Sequence, residues 1–187
     1  MDVYRAIYSR RAVRDYTATP VDRQTLIKLI DAAIQAPSAM NEQSWAFTVV
    51  QDAELLARIS KASKSYLLTE QSVVGRHHRL HEQLSNPAFD IFYHAPVLVL
   101  ISSTTSGTWA IENCALAAEN LMLAACAEGL GTCWIGLAQG WLATPTGKAE
   151  LGLPAPYLPV APIIVGRPKT EPALVARKPA EIRWIGA

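Results

Sequence analysis

Three arginines, Arg10, Arg11 and Arg14, stand close together in the stretch Ser-Arg-Arg-Ala-Val-Arg-Asp-Tyr that covers residues 9–16. A guanidinium fork matches phosphate oxygens two at a time and stays charged at every physiological pH, so this cluster suits a phosphorylated ligand. The plainer alternative is a solvated basic edge. The cluster is local in either case, because the formal net charge of the chain is only +1. That balance gives no electrostatic case for a nucleic-acid partner, which calls for a basic excess or a basic face.

Other residues with chemical potential are less persuasive. His77 and His81 stand at i and i+4, the spacing of a metal pair, but the Glu of a zincin motif is missing and no third ligand is evident, so no metal is assigned. The three cysteines, Cys114, Cys126 and Cys133, lack CxxC spacing, lie in apolar contexts and read as buried thiols in a reducing compartment. Gly129 and Gly131 follow a helical pattern, whereas a dinucleotide-binding turn follows a strand and carries a third glycine. Residues 37–44, Pro-Ser-Ala-Met-Asn-Glu-Gln-Ser, form a loop whose hydroxyls and amides suit either their own backbone or a ligand.

The elements that must position these residues follow from periodicity. Val3, Ala6 and Ile7 mark a short helix before the arginines, which places them on a loop. Leu26, Ile27, Ile30, Ala33 and Ile34 mark one face of a helix capped by Asp22 and closed at Ala36 by Pro37. Trp45, Phe47 and Val49 alternate as in a strand, and Asp52 caps the next helix. Residues 61–94 are helical with weak periodicity and could cover a site as a lid. The apolar run at residues 97–101 reads as a strand buried on both faces.

The longest helix is expected over residues 108–128, with Gly129 at a left-handed C-cap. Glu112, Asn113, Glu119 and Asn120 give it only a narrow polar stripe, and its many alanines permit close packing, so a second subunit is expected to cover part of it. Residues 132–136 form a short strand or extended turn, and residues 140–159 a connecting loop with a short helix. A last strand covers residues 160–165, where Pro162 favours an edge or a bulge. Half of the 187 residues are apolar, enough for one domain spanning 1–187. With neither a signal-peptide core nor a membrane-length apolar segment, a cytoplasmic protein is expected, with no membrane partner.

Taken together, three blocks resemble the FMN-dependent nitroreductase family: residues 9–14, the stretch Ala-Pro-Ser-Ala-Met-Asn-Glu-Gln-Ser-Trp at residues 36–45, and Gly-Leu-Gly-Thr-Cys-Trp-Ile-Gly at residues 129–136 with Val-Gly-Arg-Pro at residues 165–168. The resemblance implies an α+β fold, a mixed sheet flanked by helices, in a homodimer around a long central helix with FMN at the interface. It also implies electron transfer from NADH or NADPH to a small acceptor such as a nitroaromatic, a quinone or a flavin. Donor and acceptor would use the same face in two steps. Alternatives are a flavin store or sensor without turnover, or a specialised branch such as reductive dehalogenation or flavin breakdown.

By the same resemblance Arg10, Arg11 and Ala12 would lie near the FMN phosphate and ribityl chain. Arg14 would lie at the pyrimidine edge, supporting negative charge on the reduced ring. Pro37, Ser38, Ala39, Asn41 and Gln43 would come from the other subunit, Ile135 and Gly136 would offer backbone amides beside the ring, and Arg177 would complete the phosphate site. Ala12 replaces a common Ser, and Ser44 a common Pro. The family's Asn and basic pair over the pyrimidine have no clear counterpart between Leu67 and Arg79, Gln71 standing nearest.

Overall fold

The computed structural model describes residues 1–70 and 78–186. Four strands, β1 (Trp45–Val50), β2 (Val97–Ser103), β3 (Gly131–Trp134) and β4 (Leu158–Gly166), form a sheet in the order β1-β2-β4-β3. Their pairings are antiparallel, and a parallel bridge from Ala12 to Thr132 adds the mixed character at the β3 edge. The helices are α1 (Val3–Ser9), α2 (Arg23–Ala33), α3 (Ala53–Thr69), α4 (His78–Ser85), α5 (Ala110–Ala127), α6 (Gly136–Leu142) and α7 (Pro145–Glu150). The architecture is the expected α+β sheet flanked by helices.

Strand β2 explains why helices lie on both faces. All seven of its residues are buried. Val97, Val99 and Ile101 join Leu26, Leu29, Ala117 and Leu121 in a core on one face, beneath α2 and α5. Leu98 and Leu100 join Leu56, Ile59, Ala138 and Leu142 on the other, beneath α3 and α6. Burying each such aliphatic side chain contributes about 1.5–3 kcal/mol. A slip of one residue would exchange the two sets between faces, so the register is strongly specified.

Three expectations are corrected. Helix α2 ends at Ala33 rather than Ala36, because Gln35 and Ala36 donate to the carbonyls three residues back, Ala32 and Ala33, and so tighten the chain before Pro37. Residues 140–159 hold the expected loop and short helix, α7, but also the end of α6 and the start of β4. Glycine-rich α6 went unread because Gly136 and Gly140 are poor helix formers. At Gly140 the cause is packing: a Cβ there would lie 2.9 Å from the Tyr66 ring of α3.

Strand β4 is interior, so Pro162 is not at an edge. The lost donor is accommodated because Pro162 stands opposite the end of β3. Ile135 N–H donates to the Pro162 carbonyl at 2.8 Å, while the Ile135 carbonyl accepts from Ala138 N–H at 3.0 Å as α6 begins. The expected bulge is present beside it: Ile101 pairs with Ala161 and Ser102 with Pro159, leaving Val160 extra.

Helix α5 keeps its expected course with slightly shorter ends. Gly129, at φ 72°, closes it with Leu130 N–H on the Ala125 carbonyl and Gly129 N–H on that of Cys126, the Schellman arrangement. Its polar stripe divides in two. Glu112 and Glu119 are exposed, whereas Asn113 and Asn120 turn toward the chain, accepting from Ala39 N–H at 2.9 Å and donating to the Ala32 carbonyl at 3.2 Å. Among the described residues no helix is long and apolar enough to cross a membrane.

Candidate functional site

The arginine segment lies on the expected loop after α1, and backbone hydrogen bonds hold it in place. Arg10 ends α1 with its N–H on the Ala6 carbonyl, and Val13 N–H then donates to the Thr132 carbonyl at 2.9 Å, so the segment lies along β3. Farther on, Thr17 N–H donates to the Arg167 carbonyl, and the Tyr16 hydroxyl to the Val13 carbonyl at 2.8 Å. Burial pushes the Tyr16 phenol well above its ordinary range, so it remains a donor. Val13 points inward and Arg14 outward.

This close approach depends on Gly131, where a Cβ would stand 2.6–2.9 Å from three Val13 side-chain atoms. Pinned in this way, Arg10, Arg11, Ala12 and Arg14 line a cavity of about 470 Å3 whose opposite wall is the C-terminal segment with Arg177. Arg177 is therefore brought to Arg10, Arg11 and Arg14, from which most of the sequence separates it. Arg10 Nε lies 3.3 Å from the Glu119 carboxylate, within ion-pair range but not aligned for a hydrogen bond. Arg11 directs one terminal nitrogen to the Arg10 carbonyl at 2.7 Å. Both Nε atoms are buried with no hydrogen-bond partner among the described residues.

Residues 37–43 lie elsewhere, and none of them lines this cavity. A turn of 3-10 helix at Ala39–Asn41 occupies the loop, and Met40, Asn41 and Gln43 all have positive φ, 50–55°. Ser38 Oγ accepts from Gln43 N–H at 3.0 Å, Asn41 Oδ1 from the Gln43 amide at 3.0 Å, and buried Asn113 holds Ala39. Pro37, Asn41 and Gln43 remain exposed. The two groups of candidate residues are thus separate within one chain.

Ile135 and Gly136 behave differently from each other. The Ile135 amide is already bonded to Pro162, which removes it as a ligand donor. Gly136, exposed at the first position of α6, has an N–H that no intrahelical carbonyl can take, and nothing lies within 4 Å of where its Cβ would be.

Sequence reasoning missed Tyr93, whose ring centroid lies 6.0 Å from the Arg14 guanidinium carbon. No motif announces it, because the contact depends on a turn at residues 90–94. Burial raises the Tyr93 phenol, and the charge of Arg14 opposes that rise. Cys114 and Cys133 are buried as expected; burial pushes Cys114 up to about 11 and raises Cys133 as well. Cys126 is only half-buried, 3.4 Å from Ser9 Oγ. Gln71 and His77 lie outside the described residues. Among the described residues no group of three or more His, Cys, Asp or Glu is arranged to hold a metal.

Fold and site together describe an α+β chain with an arginine-lined cleft at the β3 edge. The chain belongs to the nitroreductase family, whose model matches residues 7–167. A crystal structure of a Bacteroides fragilis nitroreductase with bound FMN is similar over 100% of this chain and 98% of its own, with 28% identity and a TM-score of 0.82. An Archaeoglobus fulgidus protein named as an NADH dehydrogenase/NAD(P)H nitroreductase is 45% identical over 56 residues, 30% of this chain and 32% of that protein. An iodotyrosine deiodinase of Thermotoga neapolitana is 31% identical over 120 residues, 62% of this chain and 63% of that one. The chain spans about a third of the length of the first of these curated relatives.

Proposed function

We propose that the protein is a cytoplasmic, homodimeric FMN-dependent oxidoreductase that passes electrons from NADH or NADPH to a small acceptor, the two binding one site in turn. The observation that carries this reading is the cavity that Arg10, Arg11, Arg14 and Arg177 share, with the buried Nε atoms of Arg10 and Arg11 making no hydrogen bond among the described residues. Such a donor set fits a phosphate. The FMN-bound B. fragilis relative adds support for FMN as the group it belongs to. When bound, FMN supplies the two-electron chemistry.

The protein's part is binding, orientation and charge. Arg10, Arg11 and Arg177 would hold the phosphate. Arg14 would stand at the pyrimidine edge, where a fixed cation favours the extra negative charge of the reduced state. The amide of Gly136 is the donor available beside the ring, and residues 37–43 of a second subunit would complete the enclosure. Exposed Tyr4, Ile7 and Tyr8 of α1, Ile111 and Leu116 of α5, and Leu174, Trp184 and Ile185 of the C-terminal segment support an assembly that covers them. The absence of disulfides among the three cysteines fits the cytoplasm.

The test is the visible spectrum of FMN-supplemented protein under anaerobic addition of NADPH and then NADH. Bleaching of a bound flavin band is expected. Bound flavin left oxidised by both donors would move the reading to a flavin store or sensor, and protein that takes up no FMN would overturn it. The deiodinase relative favours a second reading, reductive dehalogenation of an aromatic substrate. Faster reoxidation of the reduced protein by 3-iodotyrosine than by a nitroaromatic or a quinone would establish that branch.

A further inference from the structure

Two consecutive residues with full side chains, Tyr93 and His94, are held in the left-handed region at φ 52° and 57°. A bulky residue is rarely found there, and such a conformation persists only where its surroundings over-determine it. Asp90 supplies that determination. Its Oδ1 accepts from Phe92 N–H at 3.0 Å, its Oδ2 from His94 N–H at 2.8 Å, and its carbonyl from Tyr93 N–H at 3.0 Å. His94 Nδ1 lies 3.3 Å from the same carboxylate. Phe89 packs edge-on against the Tyr93 ring, with centroids 5.7 Å apart. The result is a half-buried aromatic face turned toward the guanidinium of Arg14. Among the described residues no carboxylate pairs with Arg14, and the Tyr93 ring lies within cation–π reach of this exposed cation.

We propose that Tyr93 is the positioning residue for Arg14, its ring holding the guanidinium at the cofactor edge; the cofactor role rests on the function proposed above. Cation–π attraction and shape both act in that direction. The tight turn fastened by Asp90 exists, on this view, to present the ring.

Two measurements test the inference. The first needs no cofactor: in apo-protein carrying carbon-labelled tyrosine, Arg14→Met removes the charge that opposes burial, so the Tyr93 phenol titrates at higher pH than in the wild type. An unmoved Tyr93 titration overturns the contact. The second is the midpoint potential of bound FMN in the wild type, Tyr93→Leu, Tyr93→Phe, Arg14→Met and the double variant Arg14→Met with Tyr93→Leu. Tyr93→Leu should weaken the preference for reduced over oxidised FMN about two- to fivefold. At about 30 mV per tenfold for a two-electron couple, that is a shift of about 10–20 mV to more negative potential.

Tyr93→Phe keeps the aromatic face and should restore the wild-type potential, which also guards against a folding defect in Tyr93→Leu. The double variant should match Arg14→Met, because the effect of Tyr93 passes through Arg14. A Tyr93→Leu shift that persists undiminished beside Arg14→Met overturns the proposal. Wild-type protein that takes up no FMN would overturn the proposed function and the cofactor role of this pair, whatever the first measurement reads.

Discussion

Val13 fills the space where a side chain at position 131 would stand, and this contact sets the path of the arginines. Gly131→Ala should lift the segment from β3, costing about 1–3 kcal/mol by overpacking and weakening FMN binding. Denaturant unfolding checks the first effect, and adding Val13→Ala should recover much of it. Arg14→Ala should lower FMN affinity or the rate of reduction by NAD(P)H in rapid-mixing experiments; wild-type behaviour would remove Arg14 from the site. The thiols divide by burial. At about pH 8 a thiol reagent should label native protein at Cys126 and spare Cys114 and Cys133, whose pKa values burial raises, so Cys126→Ser should abolish labelling. The arginine cluster was visible in the sequence because charge spacing is local. Tyr93 was not, because its partnership with Arg14 joins residues far apart in the sequence.

At the scale of elements, the caps were legible and carry a pH signature. Asp22 Oδ2 accepts from the Thr25 hydroxyl at 2.7 Å and Oδ1 from Thr25 N–H at 2.8 Å, and these bonds hold its carboxyl below the usual range. A group whose pKa is depressed by folding contributes stability that is full above its unfolded value, about 3.9. The contribution is lost as pH falls through the folded value. Asp22→Asn keeps an acceptor but does not titrate, so its unfolding midpoint should fall less steeply below about pH 4 than that of the wild type. An identical acid limb in both proteins would contradict this. Asp22, Asp52 and Gly129 could be read because a cap is a matter of a few adjacent residues. The C-terminal end of α2, and α6 as a whole, could not. Position 140 has no room for a side chain because Tyr66 packs beside it, and that contact is absent from any local window.

For the whole molecule, the decisive question is assembly. Residues 37–43 and the arginine cavity are separate within one chain, and the packed helices α1 and α5 both expose apolar side chains. A dimer that buries these faces would supply both needs. Sedimentation velocity at micromolar concentration should report a dimer for the wild type, while Leu116→Glu should shift it toward monomer and lower FMN occupancy together. A strictly monomeric wild type that still binds FMN with full affinity would contradict this assembly.

The sequence alone determined what depends on neighbours along the chain: the apolar run of β2, the nearly uncharged face of α5, the Schellman glycine and the clustered arginines. It also carried the three separated blocks by which the family could be recognised. Tertiary structure decided what depends on residues far apart. It placed Arg177 across a cavity from Arg10, put Pro162 inside the sheet opposite the end of β3, engaged the Ile135 amide, and turned Asn113 away from the polar stripe to hold Ala39. The physical reason is the same in each case. A buried donor, acceptor or methyl group is settled by whichever distant partner satisfies or excludes it, and that partner exists only once the sheet has brought the two together.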